Sequence, residues 1–97
     1  MLQTLKFDTT KATIAFKILA DATRFRILSL LYSSEAMCVY EIAEAVGISH
    51  SAASHQLSNL EARGVLKSFR DGQNVCYEVH KSALSDDIRR IMNVINT

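Results

Sequence analysis

The sequence has no proline, no tryptophan, three glycines and two cysteines. With so few breakers, the chain reads as helices on short connections, with Gly47, Gly64 and Gly72 each ending or turning an element. Cys38 and Cys76 are too few for the disulfide framework of a small secreted domain. No apolar run approaches the roughly 18 residues of a membrane span. The stretch from Met1 to Asp8 lacks the charged-then-apolar order of a signal peptide. A cytoplasmic chain with no membrane partner is therefore expected. Charge of one sign is missing too. Lys and Arg number 11 against 10 Asp and Glu, net +1, so nucleic acid is neither announced nor excluded and the distribution of charge must decide. What is present is 48% apolar residues in 97. That supplies one core and one domain, residues 1–97, small enough to gain from a partner subunit.

Ala12, Ala15, Phe16 and Leu19 recur at helical spacing, and Ile14 with Ile18 adds a second stripe. Two stripes fit a helix buried all round, or one that serves its own core and a second subunit. Asp21 is placed as an N-cap for the apolar run Phe25, Ile27, Leu28, Leu30, Leu31 and Tyr32. Arg24 and Arg26 oppose the dipole of that helix, which implies another use, a carboxylate partner or a DNA phosphate. Val39, Ile42, Ala43 and Val46 repeat the pattern up to Gly47. Ser49 then caps a helix whose inner stripe is Ala53, Leu57 and Leu60. Two short helices on a tight glycine turn form a helix-turn-helix or a plain helical hairpin.

Period 2 follows. Val65 to Arg70 and Asn74 to Val79 flank Asp71-Gly72, a hairpin signal. With Asp71 and Gly72 as the central turn residues, Leu66 pairs with Tyr77 and Ser68 with Val75. Leu66, Val75, Tyr77 and Val79 then face inward, and Lys67, Phe69, Cys76 and Glu78 outward, with Cys76 opposite Lys67. From about Lys81 a last helix carries Leu84, Ile88, Ile91, Met92 and Ile95 on one stripe. The core behind it is already closed, so this stripe is expected to meet the second stripe of the first helix across a symmetric dimer. The interface residues are Ile14, Ile18, Ile88, Ile91, Met92 and Ile95.

The face of the Ser49-capped helix opposite Ala53, Leu57 and Leu60 carries His50, Ser51, Ser54, His55 and Ser58. A solvated helix face more often carries Glu, Lys and Arg. Short hydroxyls and imidazoles allow close approach to base edges and phosphates, and the helix N-terminus favours phosphate. Lys67 and Arg70 add cations from the ribbon.

Leu19-Ala20-Asp21-Ala22-Thr23-Arg24-Phe25-Arg26-Ile27-Leu28 resembles the "LADPTRLRIL" segment of the ArsR/SmtB family of winged-helix repressors, with Ala22 where proline is frequent. Ala53-Ser54-His55-Gln56-Leu57 resembles the family's "VSHQL" on the DNA-recognition helix, which adds Gln56 to the DNA-binding set. Gly64-Val65-Leu66 and Val75-Cys76-Tyr77 resemble its wing. The resemblance runs from about Ala15 to His80. It implies a mainly α fold with a small β-hairpin, a winged helix-turn-helix of order α-α-α-α-β-β-α, as a homodimer. It also implies a repressor that binds an inverted-repeat operator in double-stranded DNA and releases it on a chemical signal. A winged-helix interaction module without DNA binding is the alternative.

Many members of that family sense metals through "ELCVCDL", which here reads Ala36-Met37-Cys38-Val39-Tyr40-Glu41-Ile42, with Tyr40 in place of the second thiolate. The other common site uses Asp and His on the last helix. Here Asp86 is followed by Ile88, and no His lies beyond His80. A soft-metal site wants two to four Cys or His ligands, so both usual sites are broken and no metal and no cofactor are expected, with a metal sensor of a rearranged kind as the alternative. In a winged helix the residues before the helix-turn-helix often pair with the second wing strand. Ala36 to Val39 would then lie beside Asn74 to Val79 and bring Cys38 near Cys76, a thiol switch promoted by Lys67. The alternative is a pair of inert cysteines. No phosphate loop, nucleophile elbow or paired carboxylates suggest an enzyme.

Overall fold

The computed structural model describes residues 8–95. In chain order it forms α1 (Thr9–Leu19), α2 (Ala22–Tyr32), β1 (Met37–Cys38), α3 (Val39–Val46), α4 (His50–Ala62), β2 (Leu66–Asp71), β3 (Asn74–Val79) and α5 (Ala83–Ile95). The boundaries follow local chemistry. Asp8, Asp21 and Ser49 each accept a hydrogen bond at 3.0 Å from a first-turn amide, those of Lys11, Arg24 and Ala52. The Arg24 guanidinium donates back to the carbonyls of Ile18 and Lys17 at 3.1 and 3.2 Å and lies 3.7 Å from Asp21. It thus closes the end of α1, where a cation is favourable, and its use is structural. The last helix starts two residues later than Lys81. Ser82 and Ser85 exchange backbone-to-hydroxyl bonds at 3.0 and 3.1 Å and so fix its first turn.

β1 joins the hairpin to make an antiparallel sheet of order β1-β3-β2. The hairpin is shifted from expectation. The strands pair Asp71 with Asn74, Arg70 with Val75, Phe69 with Cys76, Ser68 with Tyr77, Lys67 with Glu78 and Leu66 with Val79. Gly72 and Gln73 are therefore the central turn residues, not Asp71 and Gly72. Gly72 has φ +65° at the first central position, where a two-residue hairpin of the II′ kind takes glycine. Moving the turn by one residue moves every partner by two, so each side chain keeps its face although it changes its neighbour. Cys76 lies opposite Phe69, and Lys67 lies 3.8 Å from Glu78.

The core draws on every helix: Ile18, Ile27, Leu28, Ile42, Leu57, Leu60, Leu66 and Ile88 are each at most 1% exposed. Two expectations for α1 and α5 are corrected here. α1 is rotated, so that Ala15, Ile18 and Leu19 face inward while Ile14 and Phe16 stay exposed. α5 returns alongside α1 of its own chain, and Ile88 and Met92 enter the same core cluster as Ile18. Ile18, Ile88 and Met92 are thus buried inside the protomer, packed by its own α1 and α5. The hairpin alone leaves this side of the core open, and α5 closes it.

Tyr32 ties α2 to α5. Its hydroxyl donates to the Ser85 carbonyl at 2.8 Å, and the Arg89 guanidinium carbon sits 5.2 Å from its ring centre. Burial pushes the Tyr32 pKa up to about 12, against the opposing pull of Arg89. A raised folded pKa means that this contribution is complete below the unfolded value of 10.0 and is lost as pH rises through about 12. Tyr32→Phe is expected to cost about 1 kcal/mol near neutral pH and to flatten the alkaline loss. Urea unfolding of both chains between about pH 8 and pH 11 checks this. Equal alkaline slopes would assign the loss to other groups.

Candidate nucleic-acid interface

α3 and α4 meet through Gly47, whose φ of +79° is a left-handed cap. Its amide and that of Ile48 both donate to the Ala43 carbonyl, at 2.9 and 3.0 Å. A side chain at this φ would be strained, so the glycine sets the angle at which α4 leaves α3. Ala53, Leu57 and Leu60, all 0% exposed, hold α4 to the core. The opposite face presents the expected set. His50, Ser51, His55 and Ser58 are exposed, while Ser54 and Gln56 are half-buried at its flanks.

The wing is anchored to the same helix. One carboxylate oxygen of Glu61 accepts from the Ser68 amide at 3.0 Å and from its hydroxyl at 2.7 Å. Arg63 donates to Asn59 on α4 at 3.1 Å. Lys67 lies 3.8 Å from Glu78 in an exposed pair, weak enough for a phosphate to replace the carboxylate. Arg70, exposed beside the turn, enters no ion pair among the described residues.

A cleft of about 120 Å³ joins the first turns of α3 and α4 to the wing tip, lined by Tyr40, His50, Ser54, Gln73 and Asn74 with Val39 and Val75. Tyr40, Gln73 and Asn74 join the cleft without being marked as site candidates by the sequence. Tyr40 had signalled only by replacing an expected cysteine, although it is a 54% exposed aromatic. The other two belong to a turn whose register was shifted.

Behind this surface Cys38 and Cys76 are directly opposite each other on β1 and β3 and joined by a disulfide, with Cα atoms 3.6 Å apart. They do not lie on an open outer face, being 7% and 1% exposed. Lys67 is across from Glu78 rather than from Cys76, so no lysine is set against the sulfur by pairing. The Asp71 carboxylate does lie close, all three ligand atoms falling within 4.8 Å of one another.

The family model described as bacterial regulatory protein, arsR family, matches residues 21–68, from the cap of α2 into β2. The transcriptional repressor SdpR of Bacillus subtilis is 37% identical over 81 residues, which cover 84% of this chain and 89% of that one. The chain belongs to the ArsR family of bacterial regulatory proteins. The cadmium resistance transcriptional regulatory protein CadC of Listeria innocua is 38% identical over 71 residues, 73% of this chain. The chain spans only 60% of the length of that relative. Among solved structures, that of the AntR antimony-specific transcriptional repressor superposes with a TM-score of 0.77 at 30% identity, over 95% of this chain and 83% of that one. Among the described residues, no helix is long and apolar enough to cross a membrane.

The positions where ArsR proteins were expected to hold metals do not fit an ion here. Tyr40 points to solvent beside Cys38, and Ile88, two residues after Asp86, fills the core.

Proposed function

We propose that this ArsR protein is a dimeric repressor that reads an inverted-repeat operator with the outer face of α4. The observation that carries this is the shared surface of His50, Ser51, Ser54, His55 and Ser58 beside a wing tip with an uncommitted Arg70. Side chains this short let α4 lie deep in the major groove, where Gln56 can also reach from the flank. Lys67 and Arg70 contact phosphates and set register without reading sequence. The repressors SdpR and AntR, named for that role, support the same reading.

The second subunit docks on what α1 and α5 leave exposed. Ile14, Phe16 and Ile95 are 40%, 56% and 60% exposed. Ala12, Ala15, Phe16 and Ile91 line a groove of about 560 Å³ rimmed by Asp8, Lys11, Asp87 and Arg90. Asp87 is held by Arg90 at 2.7 Å and Lys11 at 3.9 Å, so the rim charges are already matched and the groove floor is left apolar. Self-pairing of this face places two recognition helices about one DNA turn apart.

Titration of duplex DNA from upstream of its own gene, at two salt concentrations, tests the proposal. Two cations per subunit give a slope of about −4 in log affinity against log salt. Arg70→Ala is expected to lower it by about 2. Sequence-blind or undetectable binding would favour an interaction module instead.

The cross-strand disulfide favours a second, compatible reading in which oxidation of Cys38 and Cys76 is the releasing signal. The bond clamps the entry to α3 onto the wing, so its making or breaking changes how freely the wing tip and α4 adjust to DNA. Peroxide is then expected to weaken operator binding by the wild type and not by Cys38→Ser. An equal response of the two would remove this reading and leave the first untouched.

A further inference from the structure

The Cys38–Cys76 pair is not alone. β1, β3 and β2 lie side by side, and each contributes one ligand-bearing residue to the same face near the wing tip: Cys38, Cys76 and Asp71. Cys38 is directly opposite Cys76. Asp71 pairs with Asn74, two residues from Cys76, and is therefore its diagonal neighbour on that face. The two sulfurs are buried and Asp71 is exposed, an arrangement with a dry floor and a solvent-facing mouth.

We infer that the reduced protein binds one thiophilic divalent ion of tetrahedral preference, of the zinc and cadmium class, through Cys38 Sγ, Cys76 Sγ and one Asp71 carboxylate oxygen. Ion–sulfur and ion–oxygen bonds of about 2.3 and 2.0 Å in a tetrahedron place ligand atoms about 3.5–3.8 Å apart. The three atoms already lie within 4.8 Å of one another, so side-chain rotation suffices once the sulfurs are no longer bonded. Solvent at the Asp71 mouth supplies the fourth ligand. Two thiolates and a carboxylate around a divalent ion leave one net negative charge beside the positive N-terminal end of α3, which Cys38 caps.

The ion and the disulfide exclude each other because they need the same two sulfurs. Two molecules of a small thiol reduce the bond by giving up two electrons and two protons, becoming one small disulfide and leaving two protein thiols. The incoming ion then displaces two protons, one from each thiol. The site differs from the two usual ArsR metal positions, because two of its three ligands come from the wing. The inference concerns the cysteine pair of the second functional reading and does not depend on DNA binding.

Cobalt(II) tests it on the free protein, with a phosphine as reductant. The reduced wild type is expected to take up one ion per chain and to show the intense visible bands of tetrahedral cobalt with a sulfur-to-cobalt charge-transfer band. Zinc should bleach these bands stoichiometrically. Phosphine-free oxidised protein should show neither. Cys76→Ser should lose the tetrahedral spectrum, and Asp71→Asn should keep the charge-transfer band while binding at least tenfold more weakly. Circular dichroism of each variant separates misfolding from loss of ligands, and Asp71→Asn, at an exposed position, tests the site even if Cys76→Ser fails to fold. No tetrahedral spectrum in the reduced wild type, the same spectrum in folded Cys76→Ser, or unchanged affinity in Asp71→Asn would overturn the site. DNA titration of the metal-free reduced protein reads the repressor function separately.

Discussion

Replacing Ser54 and His55 together by alanine is expected to erase operator preference while leaving a folded dimer. Neither side chain holds α4 in place, a task left to Ala53, Leu57 and Leu60. Alanine is also the better helix former, so α4 should persist. At the low end of base discrimination, each contact is worth about 1 kcal/mol. Two contacts in each of two half-sites make about 4 kcal/mol, or about three orders of magnitude in specificity. Non-specific affinity should change little, because Lys67 and Arg70 remain. The measurement is a competition between operator and scrambled duplex at fixed salt, with circular dichroism as the folding control. Unchanged operator preference in a folded double variant would show that the outer face of α4 is not the reading surface.

Phe16→Asp is expected to yield a folded monomer with greatly weakened operator binding. Phe16 is 56% exposed in the protomer, so a charge there meets water and leaves the core intact. In the dimer the same charge enters an apolar groove, and an isologous interface counts each substitution twice. Complete phenylalanine burial is worth about 1.5–3 kcal/mol, and the interface can bury only the 56% of Phe16 left exposed, so each site loses about 1–1.5 kcal/mol. The pair therefore weakens association by about 2–3 kcal/mol before the desolvation of aspartate is added. Ile88→Asp should behave differently. It places a charge at a position that is 0% exposed in the protomer, and unfolding is the expected result. Sedimentation of the two variants distinguishes these cases. A Phe16→Asp protein that stays dimeric would move the interface away from α1.

Much of this molecule is decided locally. Asp21 and Ser49 cap helices because a short side-chain oxygen reaches the free amides of the next turn whatever lies elsewhere in the chain. Gly47 ends α3 for an equally local reason, its left-handed φ. The inner stripe of α4 and its polar outer face follow from helical period alone, and so the proposed reading surface is legible without any knowledge of packing. The faces of the hairpin were legible as well, since a two-residue slip preserves parity. Its partners were not, because Asp71-Gly72-Gln73 can turn about either pair of residues.

What lay beyond the sequence is what depends on which surfaces meet. Periodicity finds an apolar stripe but not its partner. Ile18, Ile88 and Met92 have the spacing of an interface stripe, and only the packing of α5 alongside α1 of the same chain buries them within the protomer. The exposed Phe16 had been placed on the inner stripe, because residues at the edge of a stripe are assigned by the rotation of the helix, which packing sets. The cysteine pair lies between the two cases: the family resemblance already set Ala36 to Val39 beside Asn74 to Val79, and the structure bears this out, but neither spacing nor period gave it. Cys38 and Cys76 are 38 residues apart in sequence, and only the pairing of β1 with β3 sets one sulfur against the other. Asp71 joins them only because the turn falls at Gly72 and Gln73, which makes it the last residue of β2 and the diagonal neighbour of Cys76. Ligand spacing along a chain reveals sites built on one helix or one loop. A site assembled across three strands has no spacing to read, because its geometry is a property of the sheet.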